Sequence, residues 1–383
     1  MKRLFFIFIA TIFIFANTHA QPKVVDKVYT HKNLSIFLLE GEDLINKSFM
    51  TLEEAMKQNK IALHETGNVN ELSIDNKSDA YIFIMAGDIV KGGKQDRTIG
   101  EDVVLKPWAK KVPLKSFCVE QSRWRQRGAE NVSQFSASTQ VLSDKKIKIA
   151  ARSSKNQSAV WKEVNEFQEN ASKNVNKNVK SSVSATSLQL TLEDKDLKAL
   201  TIEYMNALKP ALEGRKNITG IAFCINGKIS TIEWFGNSAL FDKLKIKLLE
   251  SAANEAISNY DKNKLTSSDI ETFIKKAIDE NSNLSKSEIE AFIKNALKSS
   301  TITASDIASF IKKAKSKEFT SSGNKSDMIE KQYKTDNSIM FESFNAKISE
   351  QHPIHVSIYS TEGVAQEVTP IQINRSPYIN RIR

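Results

Sequence analysis

Ile221-Ala222-Phe223-Cys224-Ile225-Asn226-Gly227-Lys228-Ile229-Ser230-Thr231-Ile232-Glu233-Trp234-Phe235 reads as two apolar strands around a two-residue turn. Asn-Gly suits a type I′ turn because both central residues need positive φ. Ala239 to Ser258 follows as a long helix with Phe241, Leu244, Leu248 and Leu249 on its inner face. An antiparallel hairpin backed by a helix points to an α+β fold.

Upstream, residues 24 to 120 carry a mostly β pattern. Leu34 to Leu39, Ala80 to Met85, Val103 to Leu105 and Val112 to Val119 are short apolar runs separated by turn residues. Thr51 to Gln58 reads as a short helix, with Thr51 as cap and Glu54 three residues on. The spacing suggests hairpins in a sandwich-like or half-barrel sheet. Gln157 to Asn170 places Val160, Trp161, Val164 and Phe167 on one helical stripe, and Leu192 to Leu208 forms a second amphipathic helix ended by Pro210. The polar stretch between them, Glu169 to Ser187, reads as a mobile linker.

Downstream lies an internal repeat. Asp269 to Ala277 recurs as Glu288 to Ala296 and again as Asp306 to Ala314, each copy opened by a hydroxyl residue three positions before its first acid (Thr266, Ser285, Thr303). Such capping boxes predict three short amphipathic helices over residues 265–315. A last strand, Ile354 to Tyr359, precedes a tail (361–383) rich in Arg and Pro. The expected architecture is one domain over 24–360: a β-rich core of short antiparallel strands with flanking helices, and the helical triplet packed as an appendage.

The first 20 residues stand apart. Lys2 and Arg3 precede an apolar run from Leu4 to Ala16, and Thr18-His19-Ala20 offers small residues for cleavage. A run of 13 residues is short of the roughly 20 that cross a bilayer, so a secretory signal is expected rather than a membrane span. No cysteine follows it for lipid attachment. The expected mature chain begins near Gln21, in the periplasm or outside the cell. The formal charge of +10 is dispersed among acids and small polar residues, as on a solvated surface. No basic stripe with interleaved aromatics argues for nucleic acid.

Cys118 and Cys224 each sit in an apolar run. An oxidising compartment permits a disulfide, but two buried free thiols are the plainer expectation. No histidine lies near either in sequence to activate a thiolate.

Chemistry-bearing residues concentrate in two strings. One is Gly87-Asp88-Ile89-Val90-Lys91-Gly92-Gly93-Lys94-Gln95-Asp96-Arg97; the other is Cys118-Val119-Glu120-Gln121-Ser122-Arg123-Trp124. The first is no nucleotide P-loop: its spacing is one residue too long, and Gln95 stands where a magnesium-binding hydroxyl belongs. Its plainer reading is a tight turn that needs Gly92 and Gly93 for backbone conformation. Its functional reading has Lys94, Gln95, Asp96 and Arg97 facing a polar or anionic ligand. Glu120, at the end of an apolar strand, suits a desolvated general base or simply an ion pair with Arg97 or Arg123. Asp279 to Glu290 imitates a calcium loop, but Leu284 replaces the turn glycine and Lys286 an apolar residue, so a polar interhelical turn accounts for it better. His352 and His355 straddle a proline and should face opposite ways, so a shared metal is not expected. No metal or cofactor is implied.

At these residues the chain resembles the first type of the ADP-ribosylglycohydrolase- and rhodanese-phosphatase-associated protein family. The resemblance rests on Thr51-Leu52-Glu53-Glu54-Ala55, Gly87-Asp88, Gly93 to Arg97, Cys118 to Trp124, Gln157 with Val160-Trp161, Ile221 to Phe235 with Phe241, and His355-Val356-Ser357. The family pattern has Glu at Asp88 and Asn at Asp96, and the helical triplet looks like a local expansion. The resemblance implies a link to ADP-ribose or phosphate-ester metabolism, inferred from neighbouring genes. The leading functional expectation is an exported ligand-binding protein: Arg97 and Arg123 fork onto a carboxylate or phosphate, Trp124 stacks, and Glu120 orients a hydroxyl. Two others are a hydrolase of a glycosidic or phosphate ester bond with Glu120 as base, and an envelope interaction protein docking through 265–315.

Overall fold

The computed structural model describes residues 21–93, 95–121, 135–261, 302–315, 318–323 and 326–363, together with 285 and 287. In chain order the first elements are β1 (Lys23–His31), β2 (Leu34–Glu40), β3 (Met50–Thr51), α1 (Leu52–Lys57), β4 (Ile61–Glu65), β5 (Glu71–Asn76) and β6 (Ile82–Ile84). Then come β7 (Asp88–Gly92), β8 (Arg97–Ile99), β9 (Val103–Leu105), β10 (Val112–Cys118), β11 (Phe135–Leu142) and α2 (Lys145–Ile149), which runs into a π-helical turn, Ala150–Ser154. α3 (Gln157–Val175), α4 (Leu188–Leu192) and α5 (Lys195–Leu208) lead to β12 (Ile218–Ile225), β13 (Lys228–Phe235) and α6 (Ser238–Ser258). The described chain ends with α7 (Ala304–Ala314), β14 (Glu318–Gly323), β15 (Met328–Lys334), β16 (Ser338–Asn345) and β17 (His355–Ser360).

The fold is α+β, with three sheets among the described residues. The hairpin β12–β13 lies inside an eight-stranded antiparallel sheet of order β1-β2-β12-β13-β17-β16-β15-β14. Asn226 and Gly227 turn it at φ 53° and 73°, the left-handed pair that a type I′ turn requires. A six-stranded sheet (β11-β7-β8-β10-β5-β4) and a three-stranded one (β3-β6-β9) take the rest. The strands of residues 24–120 therefore do not form one sheet: β1 and β2 join the hairpin, and β3 to β10 build the other two.

Side-chain alternation in β2 explains why both faces of the large sheet are covered. Leu34, Ile36 and Leu38 lie in the core that contains Leu240, Leu244 and Leu248 of α6, whereas Phe37 and Leu39 lie with Ile307, Ile311 and Ala314 of α7. A strand buried on both sides reads as a near-continuous apolar run, as β2 and β12 do. The third copy of the repeat thus closes a core where an appendage was expected. Its capping box forms, with Thr303 and Asp306 exchanging hydrogen bonds. The first two copies lie outside the described residues, Ser285 and Ser287 apart. A separate core between the smaller sheets gathers Leu72, Ile74, Ile82, Ile84, Val90, Val103 and Leu114.

The stretch expected as a linker is ordered. α3 runs on to Val175 and stops at Asn176 in the left-handed conformation, while Ala171 and Val179 stay buried. The Gln168 amide donates to the carbonyls of Ala185 (3.0 Å) and Ser187 (3.3 Å), tying the polar loop back to the helix. Composition alone hid those anchors.

Ile311→Ala should lower the urea unfolding free energy by about 2–4 kcal/mol, the usual cost of deleting a buried isoleucine side chain beyond Cβ. An unchanged midpoint and slope would mean that α7 does not seal the sheet.

Candidate functional site

The two strings meet. β8 pairs with β7 on one side (Val90↔Arg97) and with β10 on the other (Cys118↔Arg97), so residues 95–97 lie alongside 118–120. The Val119 N–H donates to the Asp96 carbonyl at 3.0 Å, and the Gln95 amide donates to the Glu120 carbonyl at 2.9 Å. The Asp96 N–H reaches the Glu120 carboxylate at 3.5 Å. Asp96 itself accepts from the Gly92 N–H (3.0 Å) and the Ser187 hydroxyl (3.2 Å), which anchors the start of α4.

The Arg97 guanidinium has other partners. Its terminal nitrogens donate to the Val69 carbonyl (3.0 Å), to Glu65 (3.3 Å) and to Cys118 Sγ. Its ion pair is with Glu65, whereas Glu120 or a bound anion was the expectation. Gln95, Asp96, Arg97 and Glu120 are all at most 1% exposed. Two polar atoms in this knot have no hydrogen-bond partner: Arg97 Nε and Gln95 Oε1. Lys94, Arg123 and Trp124 lie outside the described residues.

Cys118 is clamped by the first residue of α3. Its N–H donates to Gln157 Oε1 and its carbonyl accepts from Gln157 Nε2, both at 2.8 Å. Burial pushes its thiol up to about 11 despite the Arg97 charge, and pushes Cys224 up to about 12. Both cysteines are free thiols, protonated at neutral pH. Neither is placed to act as a nucleophile.

Sequence reasoning missed the largest concentration of buried charge. Asp102, in the turn before β9, sits against Arg152 of the π-helical turn (2.9 Å) and against His355 Nδ1 of β17 (2.8 Å). His355 Nε2 reaches Glu233 of β13 at 2.9 Å, and Glu233 pairs with Lys148 of α2 at 3.2 Å. Arg152 also donates to Glu330 (2.8 Å) and to the hydroxyls of Ser343 (2.9 Å) and Ser357 (3.1 Å). Phe235 stacks on the imidazole at 4.5 Å.

The charges sustain one another. Burial alone would raise Asp102 and Glu233 and lower His355 and Lys148. Arg152 and His355 nevertheless hold Asp102 well below the usual carboxylate range, and Lys148 with His355 lowers Glu233. Asp102 and Glu233 in turn raise His355, and Glu233 raises Lys148. With an ionised carboxylate at each ring nitrogen, His355 must carry both protons. The signal for Glu233 was there to read: an acid in the middle of an apolar strand needs a buried partner. Nothing in the sequence named that partner.

Gly87-Asp88 serves this framework as well. Gly87 has φ +93°, and a Cβ there would lie 2.6 Å from Lys148 Cε, so the glycine makes room for the lysine stem. Asp88 accepts from the Met85 N–H at 2.8 Å and forms a buried ion pair with Lys247 of α6. Among the described residues, no three His, Cys, Asp or Glu side chains converge in a way that could hold a metal.

The family profile of the ARG and Rhodanese-Phosphatase-superfamily-associated Protein domain, first type, matches residues 23–359. The chain belongs to that family. The match takes in every described strand and helix, save Ser360 at the end of β17, so the ARPP-1 domain spans the three sheets seen among the described residues. No curated protein and no solved structure matches the chain.

The buried charges of this ARPP-1 domain predict a pH profile. His355 is raised above 6.5 in the folded state, so its contribution is full below pH 6.5 and fades as pH rises through its folded value. Asp102 and Glu233 are lowered from 3.8 and 4.5, so theirs is full above those values and fades as pH falls. The stabilisation that these three groups contribute, read in urea as the difference between wild type and His355→Gln, should therefore be greatest between pH 4.5 and 6.5. The advantage of wild type over His355→Gln should shrink above that window; an advantage that grows there would contradict the assignment.

Proposed function

We propose that the chain is an exported protein that binds a polar or anionic small molecule where the two strings cross. Gln95, Asp96, Arg97 and Glu120 are its described part, and Lys94, Arg123 and Trp124 complete it. The observation that carries this reading is the pair of unpartnered atoms, Arg97 Nε and Gln95 Oε1, buried within one knot. A buried polar atom left unpaired costs about 1–3 kcal/mol. A ligand presenting an acceptor to the first and a donor to the second would remove both penalties. The fork of Arg97 is engaged by Val69 and Glu65, so a ligand anion must displace Glu65 or be held through Nε and through Arg123. In this reading Trp124 stacks on a flat group and Glu120 orients a hydroxyl.

Export rests on the basic and apolar start over residues 1–20. No described helix is long and apolar enough to cross a membrane.

One observation favours a second reading, hydrolysis of a glycosidic or phosphate ester bond in an ADP-ribose-related compound. Glu120 is fully buried at the end of an apolar strand, where a general base would be desolvated. For the docking reading, α7 turns its apolar stripe inward onto the sheet, so a partner contact would fall to the earlier part of 265–315.

Calorimetric titration of the full chain with ADP-ribose and simple sugar phosphates tests the proposal. Binding should occur and should weaken at least about tenfold in Arg97→Lys, which loses Nε and the planar fork. Absence of heat with every one of these compounds would overturn it. Hydrolysis abolished in Glu120→Gln with binding retained would select the enzyme.

A further inference from the structure

A cleft of about 220 Å³ opens between the tip of the β12–β13 hairpin, the start of α2, the end of α6 and the chain just after β17. It lies outside both the string crossing and the buried ionic chain. Its volume is below the range of about 300–1,000 Å³ typical of drug-sized ligands, so it suits a compact molecule. Of the three carboxylates in its wall, Asp144 and Glu255 are buried, exposed to 8% and 7%, and the third is Glu362.

The two buried acids are differently engaged. Glu255 accepts from the Ser230 hydroxyl at 2.5 Å and from the Lys145 N–H at 3.3 Å, with the Lys145 ammonium 3.9 Å away. Asp144 accepts only the Ile147 N–H, at 2.9 Å, through one oxygen. Among the described residues, its second oxygen has no hydrogen-bond partner and no cation lies within ion-pairing distance. The other charges lining the cleft are paired: Lys146 with Glu166 and Lys228 with Glu362. Asn259, also in the lining, uses its amide nitrogen on Glu255 O and Ser258, which leaves its amide oxygen as a second unpartnered acceptor.

One unpaired carboxylate and one spare acceptor, in a cleft whose lysines are already paired, define what is missing. The geometry points to a small organic cation with N–H donors, a primary ammonium or a guanidinium, held by Asp144 and Asn259. A divalent metal is a poorer occupant: calcium takes six to eight oxygens, and of the three lining carboxylates Glu255 and Glu362 are already engaged by Ser230 and Lys228. Phosphate or carboxylate ligands would meet an acid with no free cation beside it.

The electrostatics give the site a pH signature. Burial and the neighbouring charge of Glu255 push Asp144 up to about 7; Glu163 of α3 adds to the effect and Lys146 opposes it. Lys145, Lys228 and Glu362 are the remaining charged groups around the cleft. A bound cation requires the ionised form, so affinity should rise with pH through neutrality.

Calorimetric titration of the full chain with ethanolamine and with methylguanidinium, at pH 6 and pH 8, tests this. Ethylene glycol and acetate serve as neutral and anionic controls. A group titrating near 7 is roughly a tenth ionised at pH 6 and nine-tenths at pH 8, so affinity should increase about tenfold. Asp144→Asn keeps the oxygen that accepts the Ile147 N–H; it should fold normally, bind the cations at least about tenfold more weakly and lose the pH dependence. Three results would each overturn the proposal: no binding of either cation at pH 8, equal affinity in Asp144→Asn, or tighter binding of acetate than of ethanolamine.

Discussion

The chain Arg152–Asp102–His355–Glu233–Lys148 is the constraint on which the arrangement of layers depends. Each member is buried, and each comes from a different element: the π-helical turn, the turn before β9, β17, β13 and α2. An isolated buried charge is severely penalised, so every ion must meet its partner at hydrogen-bonding distance. Meeting all of them at once fixes the three-stranded sheet, the α2 segment and the eight-stranded sheet relative to one another. Removing one partner from such a set typically costs about 3–5 kcal/mol, because the other is left buried and unpaired. Apolar packing fills the layers; the ions determine their register.

Local features of this architecture were legible and distant polar pairings were not. Asn226-Gly227 announced the hairpin because only residues tolerant of positive φ make that turn, and Thr51 with Glu54 and Thr303 with Asp306 announced two helix starts through reciprocal capping. The meeting of residues 95–97 with 118–120 could be anticipated because both strings border apolar strands. That β1 and β2 leave their neighbours to flank the hairpin could not, since edge-to-edge choice has no periodic signature. Nor could the pairing of His355 with Asp102, 253 positions apart. β15, with the sequence MIEKQYK, has little apolar alternation and is a strand because β16 pairs along its whole length.

The residues that carry the resemblance to the ARPP-1 family are mostly framework. Gly87 accommodates Lys148, Asp88 neutralises Lys247, Gln157 clamps Cys118, and His355 bridges two carboxylates. Chemistry must then rest on what the framework leaves unpaired. Among those groups are the Nε of Arg97 and the Oε1 of Gln95 at the crossing of the strings, and one oxygen of Asp144 with the amide oxygen of Asn259 in the cleft at the hairpin tip.

The division between engaged and unengaged groups stands or falls with His355, whose two ring nitrogens face opposite carboxylates. Nitrogen-15 NMR of the imidazole, assigned with a His355→Gln variant and followed as pH is raised through neutrality, reads its protonation directly. The predicted result is an imidazolium with both nitrogens protonated that titrates above the ordinary value of 6.5. A ring that is neutral, with one bare nitrogen, at or below that value would show that the chain is not ionic and that something else sets the layers.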